Sequence, residues 1–81
     1  MSIGTVEVII DRIKSARGGS EIAVFSDRST GALLLDAKFA NTVETMKRIR
    51  NKDPDLIGVW DDSCNLADVR KHLIMYLKGS Y

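Results

Sequence analysis

Apolar and polar positions follow two different periods along the chain. In residues 5–16 the apolar residues recur three and four positions apart, which predicts a helix with a single apolar stripe. The stripe consists of Val6, Ile9, Ile10, Ile13 and Ala16. The pair Gly18-Gly19 is expected to end this helix, because glycine accepts the left-handed backbone that often closes helices.

Two apolar segments, 21–26 and about 32–39, flank a polar loop that closes on Gly31, which is the pattern of a β-hairpin. Ile22 and Val24 share one face of the first strand, whereas Ala23 and Phe25 share the other. A sheet with one face in water would alternate apolar and polar residues more cleanly. Each face of the hairpin is therefore expected to be covered by a helix or by another chain.

A second helix is predicted from a capping box formed by Asn41 and Glu44, and it runs to about residue 52. Val43, Met46 and Ile49 are expected to form its buried stripe. Pro54 should force its end, because proline disfavours helical geometry in the residue before it.

A third strand is predicted at residues 56–60, and a third helix begins at a capping pattern of Asn65 with Asp68 and ends at Gly79. Its expected buried face consists of Leu66, Val69, Leu73, Tyr76 and Leu77. The chain order α-β-β-α-β-α predicts a single α+β domain over residues 1–81, built as a two-layer sandwich. A right-handed crossover favours an antiparallel sheet of order 2-1-3. The alternative places the third strand parallel to the second.

Composition narrows the class of protein. The 81 residues carry a net charge of +1 and a hydrophobic fraction of 44%, values typical of a globular domain without a strong overall field. Cys64 is the only cysteine, so a disulfide within the chain is excluded and a cytoplasmic location is expected. Apolar runs are far shorter than a membrane span requires, and we expect no membrane partner.

The third helix offers a candidate interface. Its segment 73–77 is apolar nearly all round, so Ile74 is expected at the margin of the buried face and Met75 on the far side. Trp60 is a candidate anchor, because aromatic residues are enriched in binding hot spots. In the alternative interpretation, Ile74 and Met75 are ordinary apolar residues of the surface and Trp60 belongs to the core.

A basic cluster at the end of the second helix is the candidate nucleic-acid site, formed by Lys47, Arg48, Arg50 and Lys52. Helical geometry is expected to turn Arg48 and Lys52 to solvent and to place Arg50 near the buried stripe. The four cations therefore form no single face. Cations near the carboxyl end of a helix are expected from compensation of the helix dipole alone, and this is the favoured interpretation.

The hairpin loop residues Arg28, Ser29, Thr30 and Gly31 form a candidate anion-binding loop, but they lack the spacing of a phosphate-binding motif. Asp36, Asp61 and Asp62 are the weak metal candidates, and capping explains the last two at least as well. Cys64 and His72 stand eight residues apart, too far along a helix to share a hydrogen bond. We expect no catalytic residues, no metal and no cofactor.

These patterns favour a non-enzymatic protein-interaction or regulatory module, acting as a homodimer and contacting another protein. The alternatives are nucleic-acid binding through the basic cluster and small-ligand or anion binding through the hairpin loop.

Overall fold

The computed structural model describes residues 5–16, 20–27 and 34–78. Helix α1 spans Val6–Ser15, strand β1 Ile22–Asp27, strand β2 Leu34–Phe39, helix α2 Val43–Arg50, strand β3 Leu56–Trp60 and helix α3 Leu66–Leu77. The predicted α+β class and chain order are confirmed. The candidate loop 28–31, the start of the predicted second strand and the glycines at 18, 19 and 79 lie outside the described residues.

The sheet is antiparallel with the strand order β2-β1-β3, as the crossover argument predicts. Strand β1 pairs with β2 in a regular register from Ile22 opposite Phe39 to Asp27 opposite Leu34. Its pairing with β3 is interrupted between Val24 and Phe25, where the register shifts. Strand β1 is thus the central strand, and β2 and β3 form the two edges of the described sheet.

Helices α1 and α3 pack on one face of the sheet. The core between them consists of Ile9, Ile10, Ile13, Ala16, Ile22, Val24, Ala37, Val69 and Leu73. Leu77, which was also predicted to be buried, is 38% exposed, so that part of the predicted α3 stripe is wrong. Ala16 already has an extended backbone, so α1 ends before the predicted glycine pair.

Helix α2 lies on the opposite face, where it reaches Phe25 rather than the main core. The guanidinium carbon of Arg48 stands 3.9 Å from the centre of the Phe25 ring, and Phe25 is fully buried. Both faces of the central strand are therefore covered in part by helix, as the two-sided apolar pattern suggests.

The predicted rotation of α2 is wrong for two of its three stripe residues, whereas Ile49 is half-buried. Val43 is 72% exposed and Met46 is also exposed, whereas Thr45 is buried. The inward direction has moved by about one residue step, or about 100° around the helix. The predicted cap is wrong as well: Thr42, not Asn41, accepts the Thr45 N–H at 3.3 Å.

Helix α2 ends through two features after Arg50. Lys52 adopts a positive φ of 53°, the left-handed conformation that commonly closes a helix. Asp53 then returns toward the helix: its N–H donates to the Arg48 carbonyl at 3.0 Å, and its carboxylate accepts from Arg48 Nε at 2.6 Å. Pro54 follows this arrangement, in agreement with its predicted role as a stop.

Candidate interaction surfaces

The edge formed by β2 is the first candidate site, and its backbone geometry follows from two hydrogen bonds. The Ala40 N–H donates to the Glu21 carbonyl at 2.7 Å, and the Ser26 N–H donates to the Asp55 carbonyl at 2.8 Å. Because antiparallel residues alternate between hydrogen-bonded and non-hydrogen-bonded pairs, odd-numbered residues of β1 face β2 and even-numbered ones face β3. It follows that the backbone groups of residues 35, 37 and 39 point away from β1.

Helix α1 leans over this edge. The Arg12 Nη1 donates to the carbonyl of Ala37 at 2.8 Å, and the guanidinium carbon lies 6.0 Å from the centre of the Phe39 ring. A groove of about 350 Å³ runs between the helix and the strand. It is lined by Val8, Asp11, Arg12, Ser15, Ile22 and Phe39.

Two large apolar side chains of this groove are exposed: Val8 to 49% and Phe39 to 47%. We define the β2 edge surface as Val8, Arg12, Phe39 and the outward backbone of β2. Sequence reasoning missed this surface. Val8 lies off the apolar stripe of α1, and that position is the only signal that the sequence gives.

The other edge, β3, is less regular. Val24 stands opposite Gly58, whereas Phe25 stands opposite Leu56, so Ile57 is an extra residue on β3. Such a bulge bends and twists a strand and discourages pairing at an edge. The β2 edge shows no register shift in its pairing with β1 and is the more regular of the two. Its outward carbonyls at Ala37 and Phe39 accept hydrogen bonds from Arg12 and from the Thr42 hydroxyl.

The predicted α3 interface is exposed at the surface. Ile74 is 37% exposed and Met75 is 41% exposed. At about 100° per residue, Lys71 and Lys78 project between these two side chains, and both lysines are exposed. The α3 surface, defined as these four residues, is therefore apolar and basic at once.

Trp60, the third predicted interface residue, is only half-buried but contacts the core. Its ring lies over Gly58, where any side chain would collide with it. The ring also meets His72 edge-on, with 5.7 Å between the ring centres. These contacts give Trp60 and His72 a packing role, and an anchor role for Trp60 stays a prediction.

The four residues of the basic cluster differ in their exposure to solvent. Lys47, Arg50 and Lys52 are exposed, whereas Arg48 is partly buried between Phe25 and Asp53. The expectation that Arg48 points to solvent and Arg50 toward the core is wrong, for the same reason that the apolar stripe is wrong: the helix is rotated. Lys47 and Arg50 now share the outer face of α2 with Val43.

Cys64 and His72 line one hollow, together with Trp60, Asn65, Asp68 and Val69. Burial, followed by the negative charge of Asp61, raises the pKa of the Cys64 thiol. A nucleophilic cysteine needs a lowered pKa, so this environment does not activate the thiol.

The pKa of Asp61 is lowered because the Ser63 hydroxyl and N–H donate to its carboxylate. These hydrogen bonds show that the Asp61 carboxylate closes a local turn with Ser63.

Within residues 5–16, 20–27 and 34–78, no group of three or more histidine, cysteine and acidic residues is arranged to hold a metal ion. None of the helices in these ranges has the length and apolar character needed to cross a membrane. Comparison of the chain with family models, curated proteins and solved structures finds no match.

Proposed function

We propose that the chain is a non-enzymatic, cytoplasmic interaction module that works as a homodimer and presents its remaining surfaces to another protein. The observation that carries the proposal is the pair of exposed apolar side chains of the β2 edge surface, Val8 and Phe39. Exposed apolar groups that lie side by side provide area that association can bury. The outward carbonyls of Ala37 and Phe39 already accept hydrogen bonds from Arg12 and Thr42, so the apolar side chains rather than the backbone carry this proposal.

The α3 surface suits a different partner. Two copies of α3 packed against each other would bring Lys71 and Lys78 of both chains together, and like charges oppose such an interface. A protein that combines carboxylates with apolar side chains would complement Ile74, Met75 and the two lysines. We assign self-association to the β2 edge surface and contact with another protein to the α3 surface.

The solution mass tests self-association. Light scattering over a series from micromolar to submillimolar protein should show a monomer-dimer equilibrium for the parent chain. Val8→Lys should weaken the dimer because it adds a charge beside the pairing edge, whereas Met75→Lys should leave the dimer intact. A monomer at every concentration contradicts the homodimer, and a dimer lost only in Met75→Lys moves the interface to α3.

Nucleic-acid binding is the second candidate, favoured by the shared outer face of Lys47 and Arg50. Anisotropy of a labelled DNA duplex should then show binding that weakens steeply with salt. The double variant Lys47→Glu/Arg50→Glu should abolish it, while Lys14→Glu on α1 serves as a charge control. Binding that is absent or insensitive to salt rules this candidate out.

A further inference from the structure

The outward side of α3 carries a regular stripe of two cations and two apolar side chains. Lys71, Ile74, Met75 and Lys78 stand at positions i, i+3, i+4 and i+7, which share one side of a helix. All four are exposed, whereas Leu73, on the other side of the helix, is fully buried. Neither lysine side chain forms an ion pair or a hydrogen bond with any described residue. The α3 surface is thus an apolar pair with an unpaired cation at each end.

We propose that the α3 surface binds an acidic amphipathic helix of another protein, lying antiparallel to α3. The apolar patch of this helix contacts Ile74 and Met75, and one of its carboxylates faces each lysine. This inference rests on the proposed function and specifies the kind of partner that the α3 surface takes.

The distance between the two lysines favours a helix over an extended segment. Seven helical residues advance about 10.5 Å and return to within about 20° of the same side. Positions i and i+7 of a partner helix therefore match Lys71 and Lys78. In an extended strand, positions two or four residues apart share a face and lie about 6.7 or 13.4 Å apart, so neither spacing matches the two lysines.

A second copy of α3 does not fit this surface. In a parallel pair each lysine faces its own counterpart, and in an antiparallel pair Lys71 faces Lys78. Like charges meet in both orientations, and such contacts oppose association. The occupant therefore carries negative charge at the positions that face the lysines.

The apolar pair separates a protein from a nucleic acid as the occupant. Phosphate groups can neutralise the two lysines, but they offer nothing apolar against which Ile74 and Met75 can be buried. Methionine is enriched in protein interfaces, where its flexible side chain adapts to the partner surface.

Helix dipoles set the direction of the partner. A carboxylate is favourable in the first turn of a helix, and a cation is favourable in the last. Lys78 is the C-cap of α3. An antiparallel partner of similar length brings its first turn beside Lys78, so the carboxylate that faces this lysine also stabilises its own helix.

Binding of a labelled peptide, followed by fluorescence anisotropy, tests the inference. The probe is an alanine-rich helix of about 18 residues with two glutamates seven positions apart and two leucines three and four positions after the first glutamate. A matched peptide keeps the composition but moves the glutamates to the side opposite the leucines. The first peptide should bind the parent chain in a salt-dependent manner, and the matched peptide should bind at least about tenfold more weakly.

Substitutions on α3, each with a matched control, locate the site. Lys71→Glu and Lys78→Glu should each weaken binding about three- to tenfold, because an attractive pair becomes repulsive. Lys52→Glu makes the same change of charge just after α2, on the opposite face of the sheet, and should leave the affinity unchanged. Met75→Ala should weaken binding, whereas Met46→Ala on α2, where the methionine is similarly exposed, should not. Circular dichroism shows whether each variant is folded.

Chemical-shift mapping tests the site without any substitution. Addition of the first peptide to the isotope-labelled parent chain should shift the amide signals of α3 more than those of α2. Changes that lie mainly outside α3 overturn the assignment of the site.

The remaining outcomes separate this inference from the proposed homodimer. A parent chain that does not bind the first peptide at submillimolar concentration, or binds both peptides equally, overturns the inference. So does binding of a DNA duplex or of anionic phospholipid vesicles that Lys71→Glu abolishes, if the peptide does not bind. Light scattering decides the homodimer independently: a dimer that binds no peptide overturns only the inference, and a monomer that binds the peptide overturns only the homodimer.

Discussion

Replacing Arg48 by alanine should destabilise the chain far more than replacing its neighbour Arg50. The Arg48 guanidinium lies 3.9 Å from the centre of the buried Phe25 ring and donates to Asp53 at 2.6 Å. A cation over an aromatic ring contributes about 0.5–2 kcal/mol, depending on its desolvation. A partly exposed ion pair contributes about 0.2–1 kcal/mol.

Together these interactions give an expected loss of about 1–3 kcal/mol in the free energy of unfolding for Arg48→Ala. For a domain of this size the loss corresponds to a fall in Tm of roughly 5–20 °C. Helix propensity does not account for it, because alanine is at least as good a helix former as arginine. Arg50 is exposed on the outer face, and Arg50→Ala should change stability by less than about 0.5 kcal/mol.

Urea unfolding followed by circular dichroism provides the assay. All variants must be compared at one protein concentration, because self-association would contribute to apparent stability. Arg48→Lys keeps the charge but loses the planar group over Phe25, so it should fall between the parent and Arg48→Ala. Equal stabilities of Arg48→Ala and Arg50→Ala would refute the placement of Arg48 over the Phe25 ring.

Thr42→Ala should cost about 1 kcal/mol of stability because it removes the α2 cap, whereas Asn41→Ala should be nearly neutral; equal losses in thermal unfolding would restore the cap predicted from sequence. Leu73→Ala should cost about 2–5 kcal/mol in denaturant unfolding because Leu73 is fully buried, and a cost below 1 kcal/mol would place α3 outside the core. Iodoacetamide should alkylate Cys64 with a pH profile displaced to higher pH than that of glutathione, because its pKa is raised; Asp61→Asn should move the profile back, and an unchanged profile would rule out the influence of Asp61.

The pattern of residues is sufficient to predict the elements that depend on local chemistry. The three strands appear within two residues of their expected positions wherever the structure describes them, and Asn65 caps α3 by accepting from the N–H groups of Ala67 and Asp68. The order β2-β1-β3 also follows from sequence, because the handedness of crossovers restricts the topology.

The orientation of α2, and with it the exposure of the basic cluster, was predicted less well for a physical reason. A periodic apolar stripe shows which side of a helix is suited to burial, but not whether the sheet offers space for it. Val43 and Met46 fit the helical period and are nevertheless exposed, because Thr45 and Arg48 face the sheet instead. A cation that can lie on an aromatic ring competes with aliphatic burial, and only the packed structure shows which prevails.

Residue type and spacing along the chain are enough to give the α+β class and the order of the elements. Only the packed chain shows that β2 is the more regular edge, that the backbone groups of its residue 37 point outward and that α1 places Val8 and Phe39 beside it. Those properties arise from contacts between residues distant in the chain, such as the bond from Arg12 to Ala37. Local periodicity carries no information about such contacts.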